Sequence, residues 1–125
     1  IGNILSHMLH GIGAAVTVSA RKQSDIAWIL SYGYSSIRTE NICDREQYDI
    51  IFNTVPMLIF NRRLLSKMRS KPLIIDLSSM PGGVDYEAAQ KFDIKAIHAL
   101  SLPGKVAPKT AGEIIKNTIY NMIEE

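Results

Sequence analysis

Cysteine is nearly absent: Cys43 is the only one in 125 residues. That excludes an internal disulfide and a cysteine metal cluster, and it makes a reducing cytosol the natural compartment. The expected role of Cys43 is a buried structural thiol. Excess charge of one sign is also lacking. With 14 Lys and Arg against 12 Asp and Glu, the net charge is +2, so composition gives no ground for a nucleic-acid or membrane partner, and any basic site must be local. No apolar run approaches the roughly 18 to 20 residues that cross a bilayer, and no charged-then-apolar leader opens the chain. A soluble, cytoplasmic protein is expected. Repeats, low-complexity segments, metal-ligand spacings, a Gly-x-Ser-x-Gly elbow and a P-loop are all missing from the sequence.

What is present is enough apolar residue, 46%, for the core of one domain spanning residues 1–125. Short β-branched runs stand at Ala15 to Ser19, Asp49 to Asn53, Leu73 to Leu77 and Ile94 to Ile97, with a weaker, half-polar one at Tyr34 to Arg38. Nearly continuous apolar strands are buried on both faces, which means a parallel sheet covered by helices. Helical patterns fall between them: Asn3 to His10, Ser24 to Tyr32 with Ser24 as N-cap and Gly33 at the end, and Asn61 to Met68 before Lys71-Pro72. A further helix capped by Asp85 runs to about Phe92, and Pro108 opens a long last one in which Ile114, Ile115, Thr118, Ile119 and Met122 recur at helical spacing. A turn of helix is expected near Ile42 to Gln47.

The alternation predicts an α/β fold: a Rossmann-type doubly wound parallel sheet in three αβα layers, with its first strand missing. The chain opens on a helix, and Gly2 stands where the third glycine of a Gly-x-Gly-x-x-Gly turn would lie. The first two glycines would precede Ile1. A fragment of a longer polypeptide is expected, and by itself it should bind a cofactor poorly or not at all.

In this fold ligands meet the carboxyl ends of the strands. NAD-preferring proteins place an acid at the end of the second strand, about 20 residues past the first glycine, to accept from the ribose 2′-hydroxyl. Here that position reads Ser19-Ala20-Arg21-Lys22. A carboxylate would repel a 2′-phosphate, whereas Arg21, Lys22 and the Ser19 hydroxyl would attract it, so NADP is favoured, with NAD possible. Two solvated charges on a loop remain the plain alternative. The strand Asp49 to Asn53 ends in Asn53-Thr54-Val55-Pro56, a turn suited to lining the dinucleotide or simply a polar terminus. Asp76-Leu77-Ser78-Ser79 with Pro81-Gly82-Gly83 ends the following one; Asp76 and Ser78 are candidate cofactor contacts, and Asp76 could equally cap neighbouring amides. Last comes the loop Pro103-Gly104-Lys105-Val106-Ala107-Pro108-Lys109, where Pro103, Gly104, Ala107 and Pro108 would face the cofactor and Lys105 or Lys109 an anionic group, unless they are solvated lysines. His98, beyond a strand end, is a weak catalytic candidate beside Lys105 and Lys109, a structural histidine being the commoner case. His7 and His10 suit a helix surface.

Two runs carry a family resemblance: Ile75-Asp76-Leu77-Ser78-Ser79-Met80-Pro81-Gly82-Gly83-Val84-Asp85 and Leu102-Pro103-Gly104-Lys105-Val106-Ala107-Pro108-Lys109-Thr110-Ala111-Gly112. With Gly2, Ser19-Ala20-Arg21 and Asn53-Thr54-Val55-Pro56 in the same order, the chain resembles the family of the A-type subunit of dipicolinate synthase over essentially its whole length. The resemblance implies the C-terminal Rossmann domain of a two-domain subunit, working with a flavoprotein-like B-type subunit of dipicolinate synthase. It implies NAD(P)-dependent oxidation of a dihydrodipicolinate-level compound to pyridine-2,6-dicarboxylate in the mother cell of a sporulating bacterium. Such a protein would take a dicarboxylate substrate and form a homo-oligomer, with no nucleic acid and no membrane as partner. The Pro-Gly loop is also similar to that of methylenetetrahydrofolate dehydrogenases, and the layout to adenosylhomocysteinase and alanine dehydrogenase. A folate or amino-acid dehydrogenase, or a non-catalytic nucleotide-binding regulatory component, is therefore the alternative. Apolar positions on more than one face of the last helix, Tyr120 among them, suit packing on a further domain or a second protomer.

Overall fold

A computed structural model describes residues 2–44, 48–99 and 117. The chain divides into two compact units, residues 1–42 with 103–125, and residues 43–102, and each is taken by itself.

In the first unit, α1 (Gly2–Gly11) leads to β1 (Thr17–Ala20), α2 (Gln23–Ser31) and β2 (Ser35–Arg38), followed by a 3-10 turn, Thr39–Asp44, that passes into the second unit. The two strands pair in parallel, Thr17 opposite Ser35 through Ala20 opposite Arg38. A parallel pair needs a crossover, and α2 supplies it. It does so by burying Ile29, which with Ala20 and Tyr34 forms a core packed against by Val16, Val18, Ile26 and Trp28. Helix α2 starts one residue before the expected Ser24. Lys22 holds the N-cap position in an extended conformation and makes no side-chain cap bond, because the two-residue link Arg21-Lys22 feeds the helix directly from β1. Its end is as expected: Gly33 takes φ +84°, a conformation that costs a glycine little.

The second unit holds β3 (Ile50–Asn53), α3 (Arg62–Ser66), β4 (Leu73–Asp76), α4 (Tyr86–Lys91) and β5 (Ala96–His98). The sheet order is β3-β4-β5, all parallel. The central strand β4 is the most buried, with Ile74 fully covered and Ile75 and Asp76 also buried, which explains its unbroken apolar run. Leu65 and Met68 pack from the α3 segment, and Ala88 and Ala89 from α4. Asn61 and Asp85 cap their helices through Leu64 and Ala88 amides at 2.9 and 3.1 Å, each satisfying an otherwise orphan N–H for about 1 kcal/mol. Helix α3 is shorter than Asn61 to Met68, closing at Lys67. Strand β5 begins at Ala96 rather than Ile94, because the Ile94 amide is still engaged in the end of α4, donating to the Ala89 carbonyl at 2.8 Å. Among the described residues no helix is long and apolar enough to cross a membrane. The last helix expected from Pro108 lies outside them, apart from Asn117, which is helical and exposed.

Candidate functional site

Residues in register on neighbouring parallel strands project to the same face. Asn53 stands opposite Asp76, and Asp76 opposite His98, so three expected site residues form one row across the carboxyl ends of β3, β4 and β5. Asp76 is completely buried, and Asn53 and Ser78 are each 3% exposed. Burying a carboxylate is costly unless its lone pairs are filled, and here they are. Oδ1 accepts from the Ser78 hydroxyl at 2.6 Å, the Asn53 amide at 3.0 Å and the Ser78 backbone at 3.1 Å. Oδ2 accepts from the Gly83 backbone at 2.8 Å and the Tyr86 hydroxyl at 3.0 Å. Of the two uses the sequence leaves open for Asp76, capping of neighbouring amides is the one its carboxylate makes here.

Burial pushes the Asp76 carboxyl up, but the hydrogen bonds from Ser78, Gly83 and Asn53 together outweigh it and hold the group below the usual carboxylate range. Tyr86 moves the other way. Burial first, then its bond to Asp76 and the negative charge there, push the phenol well above its ordinary value, so it stays a donor. The Asn53 amide also donates to the Val55 carbonyl at 3.0 Å, folding the Asn-Thr-Val-Pro turn back on its own strand end.

Two glycines are demanded by this closeness. Gly82 has φ +91°, and a Cβ there would stand 2.7 Å from Asp76 Oδ2; at Gly83 a Cβ would overlap the Asn53 amide and lie 2.9 Å from the Met57 carbonyl oxygen. The peptide between Met80 and Pro81 is cis. Outside the network the same edge exposes apolar groups: Val55 37%, Met57 51%, Leu58 58% and Met80 69%. Pro56 is exposed and Thr54 half-buried.

The end of β1, in the other unit, differs. Ala20 is buried, whereas Ser19, Arg21 and Lys22 are exposed, and the first acid that follows, Asp25, is already inside α2. Gly2 is half-buried at the start of α1. Pro103, Gly104, Lys105, Ala107, Pro108 and Lys109 lie outside the described residues. Tyr86 escapes a reading of the sequence. The signal available is an aromatic hydroxyl at the first position of a helix whose cap, Asp85, closes the Pro-Gly-Gly loop. Cys43 is half-buried rather than buried; what burial it has pushes its thiol up, with Lys67 opposing and Asp44 adding to the shift, and Sγ lies 3.4 Å from the Leu64 carbonyl. No group of three or more His, Cys, Asp or Glu that could hold a metal occurs among the described residues.

Parallel strands joined by helices, with polar residues gathered at their carboxyl ends, define an α/β doubly wound protein of Rossmann type. No family model matches the chain. The A-type subunit of dipicolinate synthase from Bacillus subtilis (strain 168) is 40% identical over 125 aligned residues, covering 99% of this chain and 42% of that protein. Among solved structures, the dipicolinate synthase A chain from Bacillus subtilis matches with a TM-score of 0.78 at 40% identity, over 98% of this chain and 42% of that one. Its counterpart from Bacillus halodurans matches with a TM-score of 0.74 at 35% identity, over 96% and 42%. In sequence and in fold the chain therefore corresponds to a stretch of the A-type subunit of dipicolinate synthase, spanning 42% of the length of the relatives it matches.

Proposed function

We propose that residues 1–125 form the nicotinamide-dinucleotide-binding domain of a dipicolinate synthase of this A type, preferring NADP, in the cytoplasm of the mother cell of a sporulating bacterium. The observation that supports the activity is the 40% identity running along 99% of the chain. The cofactor preference is supported by the exposed Ser19, Arg21 and Lys22 at the end of β1, where no acid stands. This donor set fits a 2′-phosphate: paired guanidinium donors, a second cation and a hydroxyl.

When bound, the dinucleotide supplies hydride acceptance; the protein supplies position. Gly2 gives the helix start its close approach. Ser19, Ala20, Arg21 and Lys22 hold the adenosine end. Asn53, Thr54, Val55 and Pro56 line the middle, with Asp76 and Ser78 acting through the loop they fix rather than by reaching outward. Pro103, Gly104, Ala107 and Pro108 would face the nicotinamide end, and Lys105 or Lys109 a carboxylate of the substrate. A dihydrodipicolinate-level compound is the proposed substrate, pyridine-2,6-dicarboxylate the product, the B-type subunit of dipicolinate synthase the partner, and a homo-oligomer the assembly. The test is titration of the full-length protein with NADPH and NADH, and the appearance of pyridine absorbance with and without the B-type partner. Preference for NADPH and product formation are expected; equal affinities would sink the NADP assignment, and no product the substrate assignment.

A further inference from the structure

The row at the carboxyl edge contains three polar side chains, and two of them are closed. Asn53 and Asp76 spend their polar atoms on the protein. His98 is different. Its Nε2 lies 3.2 Å from the Ser78 carbonyl oxygen. A carbonyl can only accept, so Nε2 carries the hydrogen, and in the neutral ring Nδ1 holds the lone pair. Among the described residues no hydrogen bond is made to Nδ1.

The ring is also held. Tyr86 stacks on it at 5.8 Å between centroids and 26° between planes. On the Gly82 side the missing side chain makes room, since a Cβ there would stand 3.5 Å from His98 Cε1 and 3.6 Å from Nε2. The Ser78 carbonyl that receives the Nε2 hydrogen belongs to a residue whose amide and hydroxyl are both bound to Asp76. These contacts lead back to Asp76, in register with His98 on the neighbouring strand and bound by the Tyr86 hydroxyl. An acid that fixes an intermediate residue, which fixes the tautomer of an imidazole with one nitrogen left open, is the arrangement by which a base is oriented.

We propose that His98 is the proton-accepting catalytic residue of this site, with Nδ1 as its working atom and Ser78 and Tyr86 as positioning residues. This rests on the dehydrogenase function proposed above. Converting a dihydropyridine dicarboxylate to the pyridine removes two electrons and two hydrogens. One ring C–H bond breaks and its hydrogen leaves with the electron pair as hydride to the oxidised nicotinamide, which is reduced. The second hydrogen leaves as a proton, and the Nδ1 lone pair forms the new N–H bond. The imidazolium still donates from Nε2 to Ser78, so the ring is charged and discharged without moving.

The experiment uses the full-length protein. Ring nitrogen NMR of the wild type, with His98 assigned by loss of its signals in His98→Gln, should show a protonated Nε2 and a bare Nδ1 in the neutral ring. A neutral ring protonated on Nδ1 overturns the proposal. His98→Gln keeps a donor for the Ser78 carbonyl and has no base; NADPH affinity should stay within about twofold while dipicolinate formation with the B-type partner falls on the order of 10²- to 10⁴-fold. His98→Ala should be equally slow and be partly rescued by added imidazole. Turnover of His98→Gln within about threefold of wild type, with nucleotide bound normally, overturns the role of His98 and leaves the dehydrogenase function standing. If His98→Gln also loses nucleotide, the imidazole rescue decides, its absence overturning the proposal. A wild type that binds no nucleotide and forms no dipicolinate overturns the function itself.

Discussion

The ends of β1 and β4 look alike in sequence and behave oppositely. Ser19-Ala20-Arg21-Lys22 and Asp76-Leu77-Ser78-Ser79 are both short polar exits from an apolar strand. At β4 the polar atoms turn inward: Asp76 is the central strand's last residue, flanked by Asn53 and His98 in register, and its carboxylate gathers the donors around it. At β1 the polar side chains stand exposed. One exit builds the protein; the other, under the function proposed above, would present chemistry to a ligand. A polar strand terminus is therefore not by itself a binding residue; its neighbours in the sheet decide.

Asp76→Ala is the strongest way to break this comparison. It strands the donors of Asn53, Ser78, Gly83 and Tyr86 where water is excluded, at a cost of about 3–5 kcal/mol, read from the denaturant midpoint. A loss under about 1 kcal/mol would show that the network is dispensable. Gly83→Ala comes next, since its Cβ overlaps the Asn53 amide, for about 1–3 kcal/mol. Gly11→Ala, with nothing within 4 Å of its Cβ, should leave the midpoint unchanged or raised. At the other exit the expected effect is on the ligand: Arg21→Ala should weaken NADPH by about tenfold and leave NADH untouched. A fall in stability instead would make β1 an exit of the β4 kind.

Tyr86→Phe is the smallest of the expected losses in stability, about 1 kcal/mol near neutrality, and it carries a pH signature. The Tyr86 pKa is raised in the folded protein, so its contribution is full below the ordinary tyrosine value of about 10 and is lost as pH climbs above it. The variant should lose that alkaline decline. Asp76 gives the opposite limb. Its folded pKa is lowered, so its contribution is full above the ordinary carboxylate value of about 4 and is lost as pH falls below that toward its own lower value. Asp76→Asn should flatten the acid side.

Much of the fold is legible in the sequence because its signals are local. Apolar runs at 50–52 and 73–75 mark strands of a covered parallel sheet, and Asp85 reads as a cap because a side-chain oxygen three residues before an amide can satisfy it locally. The start of β5 departs from expectation because Ile94 is apolar for a different reason, closing α4. Asn53, Asp76, Ser78 and His98 all stand out as site residues from their position after strands, but their division into closed and open groups is not visible there. Tyr86 stays hidden because only the fold brings it to Asp76, ten residues away.

The sequence by itself determined the alternation of strand and helix, the parallel sheet that alternation requires, and the cationic exit of β1, because period, capping and charge act over a few residues. Only the tertiary structure decided that Asp76 is the hub of a buried network, that Gly82 and Gly83 must be bare, and that His98 sets its Nε2 against the Ser78 carbonyl. The physical reason is register: pairing β3, β4 and β5 sets Asn53, Asp76 and His98 side by side, and a buried carboxylate then takes every donor within reach.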